Sequence, residues 1–481
     1  MINKDNVASF FRALPADDTF LVDAIENRKY SYREFFGLVN ALAQKIRDWK
    51  TEQIVVCLEN STLLCALYFA CAAQNITVIP VDPKKSEQEI RRICASHPDA
   101  VQVGIENDCP RSALLVTVLD KTSPWEGDLA ALFAQTNLQK PFLITYTSGS
   151  TGKPKGVVHS LHNLILSAIA FRDAIGYKRG DVMYHAMPMT YMAGILNTIL
   201  LPFVAGCQLV IARRFSVMEA VSFWKYVRRY GINCFWMAPA MLRMILAVDK
   251  KGTGRTVLEG REVRFSVGTA PLDGKLREQF QTTYGVRLYQ SYGLSETLFL
   301  TTQTATLAPE NHSVGQLLRG VEMKIATDGE GIFSVPWMFL GYWGENGNLL
   351  APAHWYATGD LVEDCGQGLQ IKGRKKELII KGGINLNPHD IELCLADQAA
   401  FDQCVVQGVD DHGEDSIICW YVPNADRQWT RGQINEILRR ELGIRYQLDA
   451  LVPVDEIPKN LNGKVDRLKL AQDWKEQNYD R

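Results

Sequence analysis

Residues 145–157 read TYTSGSTGKPKGV, and residue types in this order suit one kind of ligand. Thr147, Ser148, Ser150 and Thr151 supply hydroxyl donors, Gly149 and Gly152 let backbone N–H groups converge, and Lys153 and Lys155 supply positive charge. A loop of this make-up, following directly on an apolar strand, cradles a polyphosphate. It is not a Walker loop. That pattern requires a glycine where Thr147 stands and a hydroxyl residue where Pro154 stands. No Ser–His–Asp or Cys–His arrangement is evident, so a covalent enzyme intermediate is not expected.

Five further segments follow: GTAPL (268–272), YQSYGLSET (289–297), YATGDL (356–361), GRKKELIIKGG (373–383) and PKNLNGKVDR (458–467). Alone, each is ordinary turn or surface material. In this order, behind the loop, they resemble the motifs of the adenylate-forming superfamily: acyl- and aryl-CoA synthetases, luciferases and the adenylation domains of nonribosomal peptide synthetases. The resemblance covers nearly the whole chain. It implies that Gly268, Thr269, Ala270 and Pro271 line the adenine pocket and that Tyr292 stacks on adenine. Ser295 would contact the α-phosphate and Glu296 would help hold Mg²⁺, a hard cation that shares one or two carboxylates with phosphates. Asp360 would take both ribose hydroxyls, as a carboxylate accepting from a vicinal diol can, with Arg374 as a second contact. Lys464 would bridge the substrate carboxylate and the α-phosphate, where negative charge accumulates during attack. Ala357 departs from the family, which carries a basic residue there.

The resemblance also implies a reaction. A carboxylate is activated by ATP as a mixed anhydride with AMP, and the acyl group then passes to a phosphopantetheine thiol, of CoA or of a holo acyl carrier protein. Between the two steps the small domain would pivot at Lys376 and bring Gly382 and Gly383 against a thiol tunnel. The acid is less defined. The segment MPMTYMAGI (187–195) aligns with the wall of the acyl pocket, and Tyr191 stands where amino-acid-activating relatives carry aspartate. With no carboxylate between residues 183 and 203, an α-ammonium group would be buried unpaired, which disfavours amino acids. Tyr191, Met192, Trp236, Met237, Ser291, Gly293 and Leu294 make the expected pocket, apolar and partly aromatic, for a fatty or aryl acid. The alternatives are an acyl-AMP former with a non-thiol acceptor, an amino-acid-adenylating domain, and an inactive nucleotide-binding scaffold.

These residues need a frame. Short apolar runs at 54–58, 77–81, 143–146, 182–187, 196–204, 208–211 and 234–238 read as buried strands. Helical segments at 62–74, 161–175 and 218–230 alternate with them, as in a layered α/β fold with largely parallel sheets. Residues 315–371 are glycine-rich with short apolar runs, a β-rich texture, and residues 388–442 make a compact α+β piece. The expectation is an α/β protein with two domains. Residues 1–374 form a large layered N-terminal domain of mixed and parallel sheets with a β-rich subdomain, and residues 375–481 a small, mobile α+β domain.

Of 481 residues 47% are hydrophobic and 10% aromatic, enough for a large core. Lys+Arg 52 against Asp+Glu 54 leaves a net charge of -2, without the basic surplus of a nucleic-acid binder. The apolar run 63–73 is too short to span a membrane, and Asn197, Pro202, Gly206 and Gln208 break the run 195–212. The N-terminus lacks a signal-peptide pattern. Eleven cysteines without a CxxC pair read as reduced core thiols, and the protein as cytoplasmic.

Overall fold

The computed structural model describes residues 14–104, 123–127, 129–147, 155–306, 313–344, 348–381, 384–398, 400–401, 403–411, 414–423, 428–459 and 464–479. They divide into two compact units, Met1–Glu322 with Phe333–Tyr356, and Met323–Ile332 with Ala357–Arg481. The second unit therefore takes in strands that precede the expected boundary between Arg374 and Lys375, because Leu369–Arg374 pairs with Tyr356–Asp364 in one four-stranded sheet.

The first unit holds a nine-stranded and a seven-stranded sheet. In the nine-stranded sheet Gln208–Ile211, Val182–His185, Cys234–Met237, Arg264–Val267 and Leu288–Leu294 run parallel. Their carboxyl ends deliver residues 238 and 268–272 to one edge, the usual ligand side of an open α/β sheet. Leu288–Leu294 then turns back as Leu298–Thr302. In the seven-stranded sheet Pro141–Thr147 and Lys155–Ser160 form an antiparallel pair flanking the glycine-rich loop, with Thr147 opposite Lys155.

Sequence rules account for the helices. Leu161–Ile175 begins at Ser160, whose side chain accepts from the Asn163 N–H, and ends at Gly176 with φ +78°. Such an N-cap contributes about 1 kcal/mol, and the left-handed C-cap is natural to glycine. Thr62–Ala73 is buried on every face, as a helix between layers must be. Phe171 stacks on Phe299 at 4.2 Å and packs against Trp236 at 5.2 Å, which fixes Leu161–Ile175 over the sheet.

The strand expected at 196–204 is a helix: Ala193–Leu200 is π-helical and Leu201–Ala205 is α-helical. A continuous apolar run fits a buried strand or a buried helix equally well. Pro202, at the helix start, would leave a gap in a sheet ladder. Thr198 instead donates to the Gly194 carbonyl at 2.9 Å.

In the second unit Gln403–Asp411, Glu414–Val422 and Ala450–Pro453 form a three-stranded sheet. Strand alternation sends Val406 and Ile417 to one core with Ile391, Leu395, Ile434 and Leu438, and Val405 and Ile418 to another with Trp420, Ile457 and Leu470.

Candidate functional site

Residues 295–297 form the turn between Leu288–Leu294 and Leu298–Thr302. A β-carbon on Gly293 would stand 2.0 Å from the Leu298 carbonyl oxygen, so only glycine fits that approach. Three successive carbonyls of the turn accept hydrogen bonds. Ser295 accepts from His159 Nε2 at 2.6 Å, Glu296 from the Phe339 N–H at 3.1 Å and Thr297 from Trp337 Nε1 at 2.8 Å. The Glu296 carboxylate accepts from the Tyr342 hydroxyl at 2.8 Å, and that hydroxyl lies 2.9 Å from the hydroxyl of Tyr356.

Burial sets the protonation of these partners. It pushes the Tyr342 hydroxyl up to about 12 and Tyr356 well above its ordinary range, with the Glu296 charge adding to the effect. Both phenols therefore stay protonated and donate. Burial lowers His159 to about 4, so its ring is neutral, and bonding to a carbonyl assigns the proton to Nε2. His159 lies on Lys155–Ser160, the strand after the glycine-rich loop, and Lys155 Nζ stands 5.2 Å over the Tyr342 ring. Thr147 and Lys155 thus bring the loop's ends to the Glu296 turn. Ser148, Gly149, Ser150, Thr151, Gly152 and Lys153 lie outside the described residues.

GTAPL follows Arg264–Val267. Gly268 lies against the indole of Trp236, and Thr269 holds φ +71°, a conformation costing a β-branched residue about 1–3 kcal/mol and typical of functional loops. The Thr269 hydroxyl is buried without a hydrogen-bond partner. Ala270 is half-buried and Pro271 exposed. Trp236 is buried, Met237 is fully buried, and strand alternation turns the two to opposite faces. Ser291 is buried and its hydroxyl lies 2.9 Å from that of Thr302. Tyr292 is half-buried with its ring 6.2 Å from Phe333, Gly293 is exposed and Leu294 half-buried. Tyr191 is half-buried, with its hydroxyl pushed up by burial, and Met192 is buried. Trp236, Gly268 and Ser291 thus meet in one place.

In the second unit Asp360 and Arg374 stand opposite each other in the ladder, with Arg374 Nε 2.7 Å from Asp360 Oδ1. The Asp360 side chain is 3% exposed and that of Arg374 38%. Lys376, in the turn Lys375–Glu377, is pushed down by burial and by the Arg374 charge. Lys464 is exposed, and Gly382 and Gly383 lie outside the described residues.

Residues 10–343 match the family model described as AMP-binding enzyme. The chain belongs to the AMP-binding enzyme family. It is 26% identical over 479 residues to the indoleacetate–CoA ligase of Aromatoleum aromaticum, covering 91% of this chain and 92% of that one. It is also 26% identical over 483 residues to the 2-succinylbenzoate–CoA ligase of Bacillus velezensis, covering 93% and 94%. Among solved structures it superposes on ATP-bound MatB from Rhodopseudomonas palustris with a TM-score of 0.84 at 20% identity over 99% and 100% of the two chains. On a benzoate CoA ligase from Burkholderia xenovorans the TM-score is 0.82 at 17% identity, over 98% and 100%. The fold is that of the adenylate-forming superfamily.

For an AMP-binding enzyme, the surroundings of Glu296 are informative. Among the described residues no group of three or more His, Cys, Asp or Glu side chains is placed to hold a metal. One carboxylate beside a phosphate-type loop fits a magnesium ion that takes its other ligands from phosphates and water. Four residues around the turn were missed by reading motifs: His159, Trp337, Tyr342 and Tyr356. Tyr356 opens the YATGDL segment, which was read for Asp360, and His159 stands three residues past the loop's last glycine, Gly156. Those positions were the available signals.

Proposed function

We propose that this AMP-binding enzyme is an ATP-dependent carboxylic acid ligase that makes an acyl-adenylate and passes the acyl group to a thiol. In the first step a carboxylate oxygen of the acid attacks the α-phosphorus of ATP, and pyrophosphate leaves. In the second the thiol sulfur attacks the acyl carbonyl, the thiol proton is lost, and AMP leaves. The observation that carries this reading is the Glu296 turn, fastened through His159 and Tyr342 to the strands beside the glycine-rich loop.

Magnesium, when bound, neutralises phosphate charge. Glu296 would hold it, with Tyr342 fixing which carboxylate oxygen is engaged. Lys155 and the hydroxyls of the loop would orient the phosphates, and Ser295 the α-phosphate. Lys464 would meet the charge that develops there during attack. Asp360 would accept from the ribose hydroxyls, with Arg374 beside it. A pivot at Lys376 would exchange Lys464 for the thiol-side loop at Gly382 and Gly383.

Relatives named as CoA ligases support CoA as the acceptor thiol, with a holo acyl carrier protein as the second candidate. The acid is a fatty or aryl acid, supported by the lack of any carboxylate between residues 183 and 203 to pair an α-ammonium group. Ten free cysteines among the described residues suit a reducing, cytoplasmic setting, and no helix there is long and apolar enough to cross a membrane. The test is carboxylate-dependent ATP–pyrophosphate exchange over fatty acids, benzoates, cinnamates and amino acids, then thioester formation with CoA or holo carrier protein. Exchange with one acid class is expected. Silence across the panel from folded protein that binds ATP would overturn the reading.

A further inference from the structure

His97 follows the helix Glu87–Ala95 and is 2% exposed. Both of its ring nitrogens are engaged: Nδ1 lies 2.9 Å from Gln53 Oε1 and Nε2 lies 2.9 Å from the Tyr146 hydroxyl. Burial pushes the phenol up to about 12 and the imidazole down to about 4. Tyr146 therefore donates to Nε2, and the neutral ring donates from Nδ1 to Gln53. The imidazole also stacks on Trp343, with ring centroids 5.1 Å apart and planes 24° apart. Trp343 Nε1 in turn donates to the Ser96 carbonyl at 3.3 Å. A buried polar chain whose members are all satisfied makes the parts it joins rigid.

Those parts flank the glycine-rich loop. Tyr146, Gly156 and Trp343 stand in one row across three neighbouring strands, Tyr146 opposite Gly156 and Gly156 opposite Trp343. A β-carbon on Gly156 would stand 3.0 Å from Trp343 Cβ and 3.3 Å from Tyr146 Cζ. The two aromatics thus close over the glycine, and His97 bridges them. Ile144 and Val158 pack on this face with Ile93, and Tyr146 and Trp343 pack against that cluster. Strand alternation turns their neighbours to the other face. These are Thr147 and Lys155, which bracket the loop, and Tyr342, which bonds to the Glu296 carboxylate.

Building on the ligase reading, we infer that His97 is a positioning residue for ATP. From the far face of the sheet it fixes Tyr146 against Trp343. Through them it sets the spacing of Thr147 and Lys155 from the Tyr342–Glu296 pair, and so the fit of the polyphosphate.

The experiment measures Kd for MgATP by calorimetry without acid, and KM for ATP and for the acid by pyrophosphate exchange, in Tyr146→Phe, His97→Phe and their double variant. Tyr146→Phe keeps the ring and removes only the hydroxyl. Kd and KM for ATP should rise about 3–10-fold, the factor one neutral hydrogen bond contributes, with KM for the acid unchanged. His97→Phe keeps a ring beside Trp343 and should lose at least as much. The double variant should be no worse than His97→Phe, because both changes remove the same bond. A merely structural role would lower thermal stability and leave Kd for MgATP where it was. An unchanged Kd in folded Tyr146→Phe, an equal rise in both KM values, or additive losses in the double variant overturns the inference and leaves the ligase reading standing. No exchange with any acid overturns the ligase reading, and the calorimetric arm still decides the role of His97. Tyr146→Phe alone is decisive if His97→Phe fails to fold.

Discussion

Three consecutive carbonyls of the Glu296 turn accept bonds from His159, Phe339 and Trp337, and its carboxylate accepts from Tyr342. Lys464, in the other unit, is exposed on the stretch before Arg467–Tyr479. The first group is held by hydrogen bonds within its own unit, and the second lies at an exposed position. A carboxylate that must receive a metal–polyphosphate at a set distance gains from being ordered in advance. On the proposed mechanism, a lysine needed in one half-reaction and unwanted in the other gains from standing on an exposed stretch.

The strongest challenge to this contrast is Lys464→Ala. Loss of one transition-state contact should slow adenylation about 10²–10³-fold, while the Kd for ATP by calorimetry changes little. A large rise in that Kd would mean the lysine belongs to ground-state binding. Glu296→Gln should cost about 10²-fold and raise the Mg²⁺ concentration for half-maximal exchange, a shift that Lys464→Ala should not produce.

Smaller effects probe the anchorage itself. Tyr342→Phe removes one charge-assisted hydrogen bond, so kcat should fall about 3–10-fold, with a weaker Mg²⁺ dependence than in Glu296→Gln. His159→Gln keeps a donor for the Ser295 carbonyl and should retain more activity than His159→Ala; equal losses would mean the bond positions nothing. Stability gives a readout independent of activity. Burial holds His97, His159 and His185 at about 4, below the ordinary 6.5, so the unfolded chain binds protons that the folded chain refuses between those values. Stability is full above about pH 6.5 and declines as pH falls toward 4, by about 1–2 kcal/mol per histidine at pH 5. Urea denaturation at pH 7.5 and pH 5 measures it, and His159→Gln should flatten the slope.

What could be read in the sequence follows the same division. The helix Leu161–Ile175 is legible to the residue because its apolar spacing marks it locally. The loop, Glu296, Asp360, Arg374 and Lys464 could be put forward as candidates because each sits in a contiguous motif. The helix over 193–205 was hidden because an unbroken apolar run carries no period. His159 and Tyr342 were hidden for a different reason: their partners stand 136 and 46 residues away, and nothing in a local pattern announces them.

The wide turn at Ala193–Leu200 has a consequence for how this protein can be altered. A π-turn holds one residue more than an α-turn of similar length, so the segment behaves as a register stop between Tyr191 and the helix that follows. Removing a single residue there would let the segment close to α geometry while the side chains on either side keep their phase, because the extra residue and the wider turn disappear together. One codon deleted is therefore expected to be tolerated there more readily than in the α-helical Leu161–Ile175, where it would put the two ends of the helix about 100° out of phase.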